Sequence, residues 1–235
     1  MTEPSERRAS FLHRTAKEVR NYKVTMRILT SALALLVIVT GAFYGVSALY
    51  KKSGSFTVAV DKVEMMKYGL SLSESRDMAY RTSHLNTNIS ERITNIAAET
   101  LPDDLDTIDG PHHGLNYIAY TFYLQNAGEV EFPCEYSVTM ANVTNGLDDA
   151  IRLRLYVDGV ATTYAKPKAD GTGPEAGTVE FYSADTMARG RLDGFAPGDV
   201  CRFTIVVWIE GNDPECLDWL IGGEMRIDMN VRVIH

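Results

Sequence analysis

The stretch FTIVVWIEGNDPECLDWLIGG (203–223) crowds Glu210, Asp213, Glu215 and Asp218 around Cys216, with Trp208 and Trp219 on either side. Two carboxylates at a fixed separation can hydrolyse a glycosidic bond. Nothing in this spacing fixes a separation, and acids on a turn ordinarily face water. The expectation is a corner of a β-sheet protein, its acids solvated and its tryptophans capping the end. A second cluster precedes residue 114, where Asp103, Asp104, Asp106 and Asp109 lead into His112 and His113. Imidazole and carboxylate oxygens together suit divalent metals. His112, His113, Asp106 and Asp109 are therefore weak metal candidates, and a metal-dependent peptidase using His112 or His113 is the enzymatic reading they allow. No H-E-x-x-H is present, and the histidines (His13, His84, His112, His113, His235) do not group with acids at ligand spacing. DLDTIDG starts like a calcium loop, but Leu115 occupies the closing position. GTGPEAG lacks the lysine of a phosphate loop. No G-x-S-x-G elbow follows the apolar segment. The expectation is no catalytic residue, no cofactor and no metal.

Whatever positions these residues lies beyond an apolar run. Residues 28–49, ILTSALALLVIVTGAFYGVSAL, carry no charge, and a helix of that length spans the roughly 30 Å hydrocarbon core. Residues 1–52 hold nine Lys/Arg against three Glu, a net of +6, which leaves 14 basic against 28 acidic residues and a net of −14. An acidic body of that sort repels phosphate backbones, which excludes nucleic acid as a partner. Basic residues before the run put the N-terminus in the cytoplasm and the remainder outside. Two readings stand open: a membrane anchor, favoured by the long basic leader, or a signal peptide cut near Ala48, favoured by the small residues of Val46-Ser47-Ala48. The organisation is a basic cytoplasmic leader (1–27), a transmembrane or signal helix (28–49), a spacer (50–54) and an extracytoplasmic domain (55–235).

That domain reads as mainly β. SFTVAVDKVEM (55–65) alternates as a strand, with Phe56, Val58 and Val60 on one face. LNTNISERITNIAAETL allows a helix, with Ile89, Ile93 and Ile96 at helical spacing. LNYIAYTFYL and VEFPCEYSVTMANV are strands, and the tyrosines of the first, with Phe122, are packing residues. IRLRLYVDGVATTY is a hairpin, with Asp158-Gly159 supplying a primed turn. Its Arg152 and Arg154 face away from the core. MRIDMNVRV closes the chain as a strand with one wet face. Many alternating strands joined by Gly, Pro and Asp turns predict an antiparallel β-sandwich or jelly roll. Cys134 and Cys201 each open a strand on the oxidising side of the membrane and are the preferred disulfide, leaving Cys216 unpaired.

An apolar leader ending in TGAFYGVSA, followed closely by SFTVAVDKVEM, with VVWIEGNDPEC before the last strand, resembles the TasA/camelysin group. These are secreted β-sandwich proteins of Gram-positive bacteria with a signal of the type handled by a SipW-like peptidase. The resemblance covers about 28–65 and 197–231. It implies a jelly-roll subunit of the biofilm matrix whose N-terminal strand completes the next subunit's sheet. Phe56, Thr57, Val58, Ala59 and Val60 would be that assembly strand, and the physics of adding an alternating strand to an open edge supports it. The group also carries a metallopeptidase label for camelysin, for which this sequence offers no zinc-ligand motif. The expected function is a non-enzymatic cell-surface or matrix structural protein. The alternatives are a membrane-tethered module binding a glycan or protein through its loops and, behind it, the peptidase.

Overall fold

The structure is a computed structural model and describes residues 26–44, 55–88 and 93–234. The chain divides into two compact units, Met1–Lys51 and Lys52–His235. In the first, helix α1 (Met26–Tyr44) is 19 residues long and apolar enough to cross a membrane. At 1.5 Å per residue it spans about 28 Å. Its serine and threonine hydroxyls are satisfied internally: Thr30 donates to Met26 O, Ser31 to Arg27 O and Thr40 to Leu36 O, at 2.8–2.9 Å. Polar side chains inside a hydrocarbon layer need such internal partners. Residues 45–49 of the expected span, the spacer 50–54, the position near Ala48 and most of the leader lie outside the described residues.

Among the described residues the second unit holds twelve strands. In order they are β1 (Ser55–Val60), β2 (Leu70–Ser73), β3 (His84–Asn88), β4 (Gly110–Pro111), β5 (Tyr117–Asn126) and β6 (Phe132–Ala141). Then follow β7 (Ile151–Val157), β8 (Val160–Ala165), β9 (Val179–Glu180), β10 (Thr186–Phe195), β11 (Val200–Ile209) and β12 (Arg226–Val233). One sheet runs β10-β6-β12-β1-β3; the other runs β2-β5-β11-β7-β8-β9, with β4 also on β5. The expected sandwich is present, but both sheets are mixed, because β1 pairs parallel to β12 and β8 parallel to β9.

Alternation decides which side chains meet between the sheets. Phe56, Val58, Val138, Met229 and Val231 come from one sheet, and Tyr120, Phe122, Leu153, Phe203 and Ile205 from the other. Aromatic rings cross the gap: Phe56 meets Tyr120 edge-on at 5.6 Å, and Tyr136 meets Phe203 at 5.2 Å. The expected hairpin forms, and Asp158 and Gly159 take φ of 49° and 85° as a primed turn requires.

Three expectations are corrected. The strand over 55–65 ends at Val60, because Asp61 accepts the Val63 N–H at 2.7 Å and caps helix α2 (Lys62–Tyr68). Gly69 closes that helix at φ 72°, a left-handed position suited to glycine. The helix expected within 85–101 gives way to strand β3, an extended segment and a single 3-10 turn over Ala98–Thr100. Residues 89–92 of it lie outside the described residues. Beyond them, the backbone of Ile96 bonds to Ile209 O and the Gly211 N–H, both at 2.9 Å, so tertiary pairing outweighs the isoleucine spacing. Arg152, expected on a wet face, is 2% exposed, for reasons that concern the acidic corner.

Candidate functional site

The loop acids are not uniformly solvated. Residues 93–109 fold over the outer face of β5, β11 and β7, where Leu101 and Leu105 pack against Ala119, Val206 and Trp208. Trp208 is thus under a cover, while Trp219 is exposed, so neither caps the sandwich as expected. Glu210, 3% exposed, accepts from Trp208 Nε1 at 2.9 Å and from the N–H groups of Ala98 and Asn212 at 3.1 Å. Asp213 is paired with the buried Arg152 and accepts the Glu215 N–H at 2.7 Å. Arg152 is completed by Glu175, at 3.1 and 3.2 Å, and by Ile151 O at 3.1 Å. Glu215 accepts the Ala169 N–H at 2.8 Å. These carboxylates serve donors within the fold, and buried charges need such partners, while Asp218 is exposed as expected. This corner is a structural knot.

The four metal candidates each have structural partners. The ring nitrogens of His112 lie 2.8 Å from Gly110 O and Leu105 O, so neither points to open space. His113 Nδ1 accepts the Ala119 N–H at 3.3 Å, and Nε2 then carries the proton towards Thr87 Oγ1 at 3.0 Å, an assignment that follows from the network. Burial, and then the neighbouring His112, lower the His113 pKa from its usual 6.5. Asp106 bonds Arg202 at 3.0 Å, and Asp109 accepts from the Tyr123 hydroxyl at 2.5 Å. Among the described residues no three His, Cys, Asp or Glu side chains converge on a point suited to a metal.

The cysteines stay as thiols. Cys134 on β6 and Cys201 on β11 both line the core, and the expected bridge between them is not formed. Burial pushes the Cys134 thiol up to about 12 and raises that of Cys201 as well. Protonated buried thiols are poor nucleophiles. Cys216 is half-buried and accepts from Asn95 Nδ2 at 3.4 Å.

Sequence reasoning missed a cleft of about 260 Å³ lined by Arg76, Tyr123, Asp158, Val200 and Arg202. Tyr123 sits opposite Arg202 in the β5–β11 pairing, and Asp158 accepts the Arg202 N–H at 2.8 Å. Arg76 comes from the turn after β2 and is exposed. Two guanidinium groups, a phenol and a carboxylate around a concave space can hold a polar, oxygen-rich ligand. Its residues come from four separate segments, and no local spacing marks them.

The assembly strand has a definite place. In β1, Phe56, Val58 and Val60 are buried, and the strand lies between β12 and β3 with partners on both sides. Its registers are Val58↔Met229 and Ala59↔Asn230 on one side, Val58↔Leu85 on the other. Strand β1 therefore fills a slot in its own sheet, whose edges are β10 and β3.

No known protein family matches the chain, and no curated protein does. Among solved structures, a β-glucosidase from Kluyveromyces marxianus in complex with glucose is similar over 76% of this chain and 17% of that one, at 12% identity and a TM-score of 0.22. A likeness that slight carries no argument about fold or activity.

Proposed function

We propose that the chain is a non-enzymatic cell-surface or extracellular-matrix structural protein, brought to the outer side of the membrane by helix α1. There it is either held as an anchored domain or released by cleavage near Ala48. The observation that carries this reading is β1, the first element of the domain after α1, inserted between two strands of an otherwise complete sheet. A slot filled by the chain's own N-terminal strand is also a slot that a neighbour's strand can fill, which is the chemistry of subunit exchange. The satisfied acids, histidines and thiols support a role without catalysis.

Sequencing the N-terminus of the protein from cells tests the export step. A start near Leu49 means release, a start at Met1 means an anchor, and a cytosolic protein overturns the proposal. For assembly, Ala59→Cys with Asn230→Cys places two thiols side by side across β1 and β12. Oxidation locks β1 in its own sheet, and the expected result is loss of polymers that returns on reduction. Released protein that stays monomeric at high concentration overturns the fibre version.

The cleft favours one second reading, a tethered module that recognises acidic glycans or peptides. Arg76→Ala then removes binding while leaving the fold intact, because Arg76 is exposed. A panel of acidic glycans and peptides with no binder ends that reading.

A further inference from the structure

We propose that the loop Leu217–Ile221 is a membrane foot, an apolar toe that inserts into the interfacial layer of the bilayer crossed by helix α1. This inference rests on the anchored version of the proposed function.

Three side chains carry it. Leu217 and Trp219 are exposed, the latter at 63%, and Ile221 is 78% exposed. They alternate with Asp218 and Leu220, and Leu220 is buried as the pin that holds the loop to the domain. The backbone is tied down as well. The Leu220 N–H donates to Leu217 O at 3.0 Å, that of Gly223 to Leu220 O at 2.8 Å, and Asn145 Nδ2 donates to Ile221 O at 3.1 Å. Exposed aromatic and aliphatic side chains on a fixed loop have already met their ordering cost and gain by leaving water. Tryptophan in particular favours the headgroup level, where its ring is apolar and its N–H stays wet.

Topology puts this loop at the right end of the domain. Strands β1 and β12 are parallel, with Phe56 beside Ile227, so both strands start at one end of the sandwich. The foot loop immediately precedes β12. The chain from α1 enters the domain at Ser55, the start of β1. Tyr44 and Ser55 are eleven residue steps apart in sequence, a length that reaches at most about 40 Å when fully extended. The toe and the start of β1, where the chain arrives from α1, therefore share one end of the sandwich. The acids nearby, Asp218 and Glu224, point to a zwitterionic surface, since anionic headgroups would repel them.

The protein supplies its own reporter, because Trp208 and Trp219 are the only tryptophans. Trp208 is buried and bonded to Glu210 and serves as the unquenched control. The full chain is reconstituted into phosphatidylcholine nanodiscs with and without bromine on the acyl chains near the glycerol. The expected result is that bromine removes more than half of the emission that disappears in Trp219→Phe, and leaves Trp219→Phe itself unchanged. A Leu217→Ser, Ile221→Ser variant keeps Trp219 and is expected to lose most of that quenching, which separates insertion from mere proximity. Anionic lipid in the disc is expected to weaken it. Protein that enters the discs with Trp219 unquenched overturns the foot and leaves the anchor standing. Protein that fails to enter the discs overturns the anchor and the foot together.

Discussion

On the outer face of the five-stranded sheet, Arg189 from β10 and Arg232 from β12 reach across to one carboxylate, Glu135 on β6. On the outer face of the seven-stranded sheet, one guanidinium, Arg152 on β7, gathers two carboxylates, Asp213 and Glu175. The ingredients are alike and the surroundings are not. The first cluster lies in water, where screening and side-chain entropy leave an ion pair worth little. The second is buried at Arg152 and Asp213, beneath the loops that bring in Asp213 and Glu175, where each charge is held by hydrogen bonds and would be costly alone. The difference teaches where this domain keeps its rigidity. Its five-stranded sheet has one dry face, whereas the β5-β11-β7 part of the other sheet is dry on both. Accordingly β11 is almost continuously buried, and β12 alternates.

The sharpest way to break that contrast is Trp208→Ala. It empties the centre of the covered face and leaves Glu210 without the indole donor it now holds. Removing a buried aromatic costs about 4 kcal/mol, so a large drop in the urea midpoint of unfolding is expected. A drop no larger than that of a surface change would mean the cover does not pack as described.

Next in size is Asp213→Ala. It leaves Arg152 buried with only Glu175, itself partly exposed. Breaking a buried pair from one side costs about 3 kcal/mol. The double change Arg152→Met, Asp213→Leu is expected to be milder than the single one, because it removes both ions. Thermal unfolding of the two variants side by side checks the order, and a double variant worse than the single one would contradict a desolvated pair.

These two positions also mark where the sequence stops being legible. Alternation located β5, β6, β7, β11 and β12 and sorted β12 correctly, because a strand with one wet face writes its orientation in every second residue. Arg152 and Arg154 carry the same signal and read as wet-facing for that reason. Charge patterning registers polarity and not the later loops that bring Glu175 and Asp213 onto Arg152. Glu210 and Asp213 mislead in the same way, since a carboxylate that satisfies Trp208 and Ala98 looks in sequence like the solvated Asp218. Helix α2 was legible in retrospect from Asp61 and Gly69, a cap at each end. The cleft at Arg76, Tyr123 and Arg202 was not, because its parts meet only through strand pairing.

A smaller effect is expected from acid. His113 is an exposed residue held between Thr87 and the Ala119 N–H. Its folded pKa is lowered below the usual 6.5, first by burial and then by His112. The sign follows: a lowered value means the folded state favours the neutral ring, so this contribution is complete above 6.5 and is lost as pH falls through the folded value. His113→Asn keeps an acceptor for the Ala119 N–H and removes the titration. Its stability is expected to fall less than that of the wild type between neutral pH and 5. Parallel pH curves would assign the acid sensitivity elsewhere.

The smallest effect belongs to the wet face. Arg232→Ala leaves Glu135 with Arg189, whose Nε donates to it at 2.9 Å, and at an exposed site the loss is within about 0.5 kcal/mol. Glu135 itself has a pKa lowered from 4.5, chiefly by its bonds to Arg189 and then Arg232. Its contribution is therefore present above 4.5 and lost below, the opposite end of the acid range from His113. Molar salt is expected to erase the Arg232→Ala difference, because exposed pairs are screened within a few ångströms, and to leave the Asp213→Ala difference nearly unchanged. Equal salt sensitivity at the two sites would mean that water reaches Arg152 and Asp213, and the contrast between the faces would then be one of shape and not of dielectric.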